Sequence, residues 1–436
     1  MEEFFKIKQR GSSVRTEVIG GLTTFLAMAY IVAVNPAILA DAGIPFEAAL
    51  TATCFGAAVA TIAMGIFANR PIALASGMGI NAVVAYGMCG SLGIDWRVAM
   101  AVVMLEGVVI LGLVLGGLRK AVMDAIPLDL RQAIGIGIGL LITFIGLKGA
   151  GLIVADDSTY IALGSLTDPT AIVAIVALAS AVILTFMQVP GALLISIIVA
   201  VVVGLPLGVT PVPTSWSLGI DFSAFAAPFQ EVDGTLAIVQ VILQPALWLF
   251  VFSLLMSDFF DTLGTAVAIA KEGDFIDENG DVEDIKAILT VDSTAAIVGG
   301  FFGASSITCF LESASGVAAG ARTGFSNLVV GLLFIVCAFL SPLFGMVTGA
   351  ATCGALVVVG FLIMSEVGSI NWHTPEVAFP AFLIIVGIPF TYSITNGIGL
   401  GFIAYVLLMV ARRQTREVKP LMWVAAAAFL CMFLFV

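Results

Sequence analysis

The sequence predicts an all-α polytopic membrane protein. About fourteen transmembrane segments form two inverted seven-helix repeats, with short strands in the third and tenth segments. Three observations predict this. Of 436 residues, 61% are hydrophobic and only 11% charged, with a mean hydropathy of +1.17; soluble domains carry about 25% charged residues. Apolar runs of the roughly 20 residues needed to cross a bilayer recur along the whole length. Two glycine-punctuated segments of the same form occupy corresponding places in the two halves.

The elements follow in order. Residues 1–15, "MEEFFKIKQRGSSVR", form a polar, basic cytoplasmic segment. They lack the apolar core and cleavage site of a signal peptide, so the first span acts as its own insertion signal. The first repeat, 16–206, holds spans near 16–40, 46–68, 71–90, 97–117, 129–147, 170–187 and 190–206. Residues 207–244 read as an extracytoplasmic loop and an amphipathic connector. The second repeat, 245–411, holds spans near 245–270, 286–303, 305–321, 324–342, 346–365, 375–390 and 393–411. A basic loop and a last apolar segment complete the chain at 412–436; "PLMWVAAAAFLCMFLFV" (420–436) is expected to lie along the membrane or to insert partly.

Charge sets the orientation, because Lys and Arg concentrate on cytoplasmic loops. Lys6, Lys8, Arg10 and Arg15 put the N-terminus in the cytoplasm of a cell-membrane protein. Arg70, Arg119, Lys120, Lys271, Lys286, Arg322 and the cluster Arg412, Arg413, Arg416, Lys419 then fall on cytoplasmic turns. The stretch 205–235, with four prolines and no Lys or Arg, falls outside. Arg97 and Lys148 run against the pattern.

The net charge of −12 does not point to a partner, since seven acids sit in one loop, "KEGDFIDENGDVEDIK" (271–286). Seventeen scattered Lys and Arg are too few for a nucleic-acid surface. Six cysteines lie in apolar segments without a Cys-x-x-Cys pair, so neither a metal site nor a disulfide framework is read, and no cofactor is expected. The fragment "DENGD" lacks the spacing and terminal Glu of a calcium loop and reads as a solvated turn. His373, in "NWHTPE", reads as a surface residue. No nucleophile–base set appears, which argues against an enzyme.

The repeat is a pattern of punctuation. "RPIALASGMGINAVVA" (70–85) matches the form of "SSITCFLESASGVAAG" (305–320), a short run followed by glycine-rich helix. "AIPLDLRQAIGIGIGLLI" (125–142) aligns loosely with "MVTGAATCGALVVVGFLI" (346–363). Seven spans per half give the halves opposite orientation. Interrupted segments in corresponding places of inverted halves point to a transporter's substrate site.

Four acids lie at bilayer depth: Glu106, Asp258, Asp292 and Glu312. Each costs at least about 2.5 kcal/mol there even on a lenient scale, so each faces protein, water or a ligand. "SSITCF" is β-branched and aromatic enough to run extended, and "ESASGVAAG" starts a helix of small residues. Such irregular backbone is tolerable only where it lines a cavity. Glu312 then sits in a first helical turn, where the dipole favours negative charge. The segment around "SGMGIN" brings a second helix N-terminus, with Asn81 one turn in. Asp258, Asp261, Thr262 and Thr265 form one polar stripe on the eighth span, able to bind N–H donors or to take up and release a proton. Glu106 reads first as interhelical glue. Asp292, close after Lys286, reads equally as a cap or surface pair and as a functional acid; Phe310 reads equally as packing and as a ring that stacks on ligand.

At these residues the chain resembles the nucleobase–cation symporter (nucleobase/ascorbate transporter) family, and most closely its AzgA-type adenine/guanine/hypoxanthine branch. The likeness rests on "GGLTTFLAMAYIVAVNP" (20–36), "ASGMGINAVVAYG" (75–87), "SDFFDTLGTAVAIA" (257–270), "CFLESASGVAAGARTG" (309–324) and "IPFTYSITNGIGLGF" (388–402). It covers nearly the whole chain. The resemblance implies a core domain of spans 1–4 and 8–11 and a gate domain of spans 5–7 and 12–14, with substrate between the third and tenth spans and the eighth beside them. By motif position it implies substrate contacts from Glu312, Asp258, Asn81, Phe310, Leu311 and Ser313, and a possible homodimer. Asp258, Glu312, Asp261 and Thr262 are the candidates for proton coupling. The Gln-His pair that many uracil and xanthine relatives carry in the first span reads Thr23-Thr24 here, and their eighth-span histidine has no counterpart, Thr262 being nearest.

The function expected is a proton-coupled symporter importing adenine, guanine or hypoxanthine by alternating access. Glu312 accepts from ring N–H groups, Asp258 takes the opposite edge or a linked proton, and neutralising the acids lets the core pass the gate. The alternatives are an anion transporter of the same fold (sulfate or bicarbonate type), which predicts a basic residue at the half-helices, and a non-concentrating channel.

Overall fold

The computed structural model describes residues 2–117, 126–213, 219–276 and 282–435. Arg119, Lys120 and the "DENGD" fragment lie outside the described residues.

Among the described residues, nine helices of 18 residues or more are apolar enough to cross a bilayer: Val14–Asp41, Phe46–Ala68, Trp96–Leu115, Leu128–Gly149, Pro169–Phe186, Pro245–Gly273, Ile285–Phe302, Gly349–Ser369 and Ile394–Ala411. Three shorter apolar helices, Ala192–Gly204, Phe325–Ala338 and Pro375–Thr391, supply spans 7, 11 and 13. The third and tenth spans are the interrupted ones, and together these make the fourteen segments expected. Local chemistry sets the ends. Ser13 caps the first span by accepting the Thr16 N–H at 3.2 Å. Asp168 caps the sixth, with Pro169 at the first helical position. Left-handed Gly303 ends the ninth.

Strands Leu74–Ser76 and Ile307–Cys309 pair antiparallel, Ala75 opposite Thr308. Each continues into a short helix, Met78–Ala82 and Ser313–Ala318. The third span then runs on as a π-helix, Val83–Ser91. Backbone donors buried at this depth need partners. Phe310 N–H reaches Ala73 O at 3.0 Å, Gly77 N–H reaches Ser306 O at 2.9 Å, and Ala73 N–H reaches the Ser313 hydroxyl at 2.9 Å.

The packing obeys an exchange of halves. The fourth span packs on the ninth as the second does on the eleventh, and the first on the tenth as the eighth does on the third. The fifth packs on the thirteenth as the sixth does on the twelfth. Close approach of the fourth and ninth spans requires glycine. A Cβ on Gly300 would come 2.7 Å from Met104 N, and one on Gly107 2.7 Å from Ile297 N.

The last helix, Pro420–Phe435, runs back antiparallel along the fourteenth span. Phe429 stacks edge-on against Phe402 at 5.9 Å, and Phe433 lies over Gly399. Of the two placements expected for this segment, lying along the membrane does not fit this packing. The two basic residues that broke the charge pattern are both held: Arg97 by Asp95 at 3.1 Å, and Lys148 over the Tyr392 ring at 4.8 Å.

Candidate functional site

The site is built where the two interrupted spans meet. Glu312 is the N-cap residue of Ser313–Ala318, half-buried, on the open side of the strand pair. The sequence pattern puts it inside the first turn; it stands one position earlier, still at the positive end of the helix. Tyr30 donates its hydroxyl to Glu312 Oε1 at 2.6 Å. Tyr30 is buried and sits at a break in the first span, between helices Val14–Met28 and Ile31–Asp41.

The eighth-span stripe divides. Asp258, Thr262 and Thr265 turn inward and are buried, whereas Asp261, Gly264 and Ala268 face outward and are accessible. Asp261 is within electrostatic reach of Glu312, Tyr30 and Asp292. Asp258 instead faces Glu106, Asp292 and Thr308. The acid nearest Glu312 on the eighth span is therefore Asp261. Three residues of helix turn the chain by 300°, leaving the two aspartates about 60° apart on the wheel, and that angle separates two environments.

Asp292 is neither a cap nor a surface pair. It accepts from Thr262 at 2.7 Å, from Thr308 at 3.3 Å and from Cys309 N–H at 3.0 Å, and so braces the tenth-span strand. Thr262 and Thr308 bond each other at 2.7 Å. Asn81 is fully buried and donates to Asn35 Oδ1 at 2.5 Å; Asn35 donates in turn to Thr53 at 2.8 Å and Ala304 O at 3.2 Å. Ser313 is buried with its hydroxyl spent on Ala73 N–H. The Phe310 ring is buried in the apolar core, while Leu311 stands 52% exposed beside Glu312. Thr24 is buried and packs where a Cβ on Gly316 would fall, so it lies against the tenth-span half-helix, while Thr23 donates back to Ile19 O at 2.9 Å on its own helix. His373 is exposed.

Across from this surface lies the fifth span, whose Ile138 touches Gly79 of the third-span half-helix. The accessible groups here are Glu312, Asp261 and Leu311, with the buried Tyr30 hydroxyl held on Glu312 and buried Ile138 behind them against Gly79. Such an arrangement accepts hydrogen bonds along one edge of a flat, mostly apolar solute. It repels anions, and among the described residues no basic side chain is a charged neighbour of Glu312 or Asp261. Sequence reasoning missed Tyr30 and Asn35. The available signal was weak: a lone Tyr and a lone Asn in an apolar first span.

Comparison with known proteins gives a consistent picture. The model of a permease family matches residues 15–400. The adenine permease AdeP of Escherichia coli is 38% identical over 442 residues, covering 100% of this chain and 96% of that protein. The guanine/hypoxanthine permease PbuO of Bacillus subtilis is 39% identical over 429 residues, covering 98% of each. Among solved structures, the transmembrane domain of the cyanobacterial bicarbonate transporter BicA superposes with a TM-score of 0.66 at 16% identity, over 88% of this chain and 97% of that one. This last likeness is one of fold.

Proposed function

The chain belongs to the nucleobase/ascorbate transporter family of permeases, and from that premise we propose that it is a proton-coupled symporter of purine nucleobases. It is a multi-pass membrane transporter by family, not an enzyme. The relatives named for adenine and for guanine/hypoxanthine support a purine as substrate. The observation that carries the reading is Glu312, an acid at the mouth of a half-helix whose carboxylate receives the hydroxyl of Tyr30. A ring N–H of a neutral purine satisfies such a carboxylate; a sulfate or bicarbonate ion is repelled by it and by Asp261, which disfavours the anion reading despite the shared fold.

In this reading Glu312 accepts from the purine edge, Tyr30 orients the acid, and Asp261 faces the same space. Leu311 and the fifth-span wall line the ring faces. Phe310, Ser313 and Asn81 act from behind, holding the strand pair and the half-helices in register. Asp258 and Thr262 serve the proton. Spans 1–4 and 8–11 move as a core against spans 5–7 and 12–14, and the N-terminus is cytoplasmic. The test is uptake of labelled adenine, guanine and hypoxanthine into proteoliposomes under an imposed proton gradient. Accumulation abolished by a protonophore and by Glu312→Ala supports the reading. Accumulation by Glu312→Ala equal to the unaltered protein overturns it.

A further inference from the structure

One pair of acids is left over by the proposed substrate site. Glu106, on the fourth span, and Asp258, on the eighth, are both fully buried and face each other within hydrogen-bonding range. Among the described residues, Glu106 Oε1 and both carboxylate oxygens of Asp258 meet no hydrogen-bond donor within bonding geometry. The Glu106 Oε2 atom has only a long contact from Ser306, 3.4 Å.

Proton counting around the pair sharpens this. Thr262 has one hydroxyl proton and gives it to Asp292. Thr308, beside Asp258, has one as well, and its two bonding partners are Thr262 and Asp292. Asp292 receives the Thr262 hydroxyl and the Cys309 N–H, and the single Thr308 proton is shared between Thr262 at 2.7 Å and Asp292 at 3.3 Å. Other titratable groups around the pair are Asp261 on its own helix and Cys309 on the tenth-span strand. No Lys, Arg or His is among these neighbours. Two ionised carboxylates cannot rest against each other in a buried site whose nearest donors are two shared hydroxyls, Ser306 and Thr308. The pair needs one positive charge between its oxygens.

We infer that Glu106 and Asp258 together form the proton-binding site of the transporter, one proton being held between the two carboxyl groups across the fourth and eighth spans. The inference rests on the proposed symport and deepens it: Glu106 is a proton-binding partner, where sequence alone gave it as interhelical glue. The step is a simple association. A proton joins the doubly ionised pair, forms an O–H···O bond, and leaves the same way. The pair also touches Ser306 and Thr308, which flank and belong to the paired strand, so its charge state bears on the backbone that presents Glu312.

The experiment separates this inference from the proposed function. Purine counterflow, exchange without a gradient, reads substrate recognition; gradient-driven accumulation reads coupling. In Glu106→Gln the new amide donates to Asp258 in place of the proton. Counterflow is expected to persist while proton-driven accumulation collapses to equilibrium, and Glu106→Asp is expected to restore part of it. Infrared difference spectra across a pH step supply a second readout. The unaltered protein should show a deuterium-sensitive band of a protonated carboxyl that disappears in both Glu106→Gln and Asp258→Asn. Full accumulation by Glu106→Gln, or a band unchanged in both variants, overturns the inference while leaving purine transport intact. Uptake that follows a sodium gradient and not a proton gradient overturns it too, since the pair then holds a metal cation. Absence of any purine counterflow by the unaltered protein instead sinks the functional reading itself.

Discussion

The Tyr30 hydroxyl and Glu312 Oε1 stand 2.6 Å apart, joining a break in the first span to the cap of the tenth-span half-helix. A hydrogen bond to a charged group contributes about 1.5–3 kcal/mol. It also restrains the orientation of the carboxylate that would meet a solute.

Tyr30→Phe removes that bond without changing the shape of the buried ring. Purine affinity should fall by roughly tenfold or more, the equivalent of about 1.4 kcal/mol, and the melting temperature should drop with the loss of one buried hydrogen bond. Equilibrium binding of adenine and hypoxanthine to purified protein measures it. Tighter binding by the variant would mean that Tyr30 competes with the solute for Glu312.

Asp261 and Asp258 should part company when mutated. Asp261 is accessible and shares its surroundings with Glu312, so Asp261→Asn should weaken purine binding and leave folding intact. Asp258 is sealed away from that surface, so Asp258→Asn should leave binding closer to normal and disturb proton-driven accumulation. Binding and accumulation assays run side by side decide it. Equal loss of binding in both would return Asp258 to the substrate edge.

How far the sequence reached follows from the same residues. The spans were legible because length and hydropathy alone define them, and the interrupted pair because β-branched residues precede a run of small ones at 305–320. Glu312 was legible because a carboxylate at bilayer depth, set just before a half-helix of small residues, must face a cavity or a ligand. Tyr30 was not, since one aromatic residue in an apolar helix reads as packing until its hydroxyl partner, 282 positions on, is known. The split between Asp258 and Asp261 was hidden for a different reason: helical periodicity places both on one stripe and does not say which edge meets a neighbouring helix. Asp292 stayed even between a cap or surface pair and a functional acid because nearby Lys286 offered a partner, whereas its partners come from the eighth span and the tenth-span strand.

Asp292→Ala should be severely destabilising. It strands Cys309 N–H and one hydroxyl of the mutually bonded Thr262–Thr308 pair in a buried place, and each unsatisfied donor costs about 1–3 kcal/mol. Asp292→Asn keeps one acceptor oxygen and should lose less. Thermal unfolding in detergent ranks the three proteins, and a melting temperature for Asp292→Ala equal to that of the unaltered protein would remove the bracing role.

Motion of spans 1–4 and 8–11 against the rest can be tested at one contact between the proposed bodies. A Cβ built on Gly79, in the third-span half-helix, falls 3.9 Å from the Cβ of Ile138 on the fifth span. Disulfides place their Cβ atoms about 3.5–4.5 Å apart. The double variant Gly79→Cys with Ile138→Cys, in a background where the six native cysteines are replaced, should therefore close under mild oxidation. If transport requires these spans to slide past each other, the oxidised protein should stop accumulating purine and recover on reduction, with each single variant unaffected by either treatment. A disulfide that forms completely, shown by mass spectrometry, and leaves uptake undiminished would mean that the third and fifth spans move together. The moving boundary would then have to run elsewhere in the bundle.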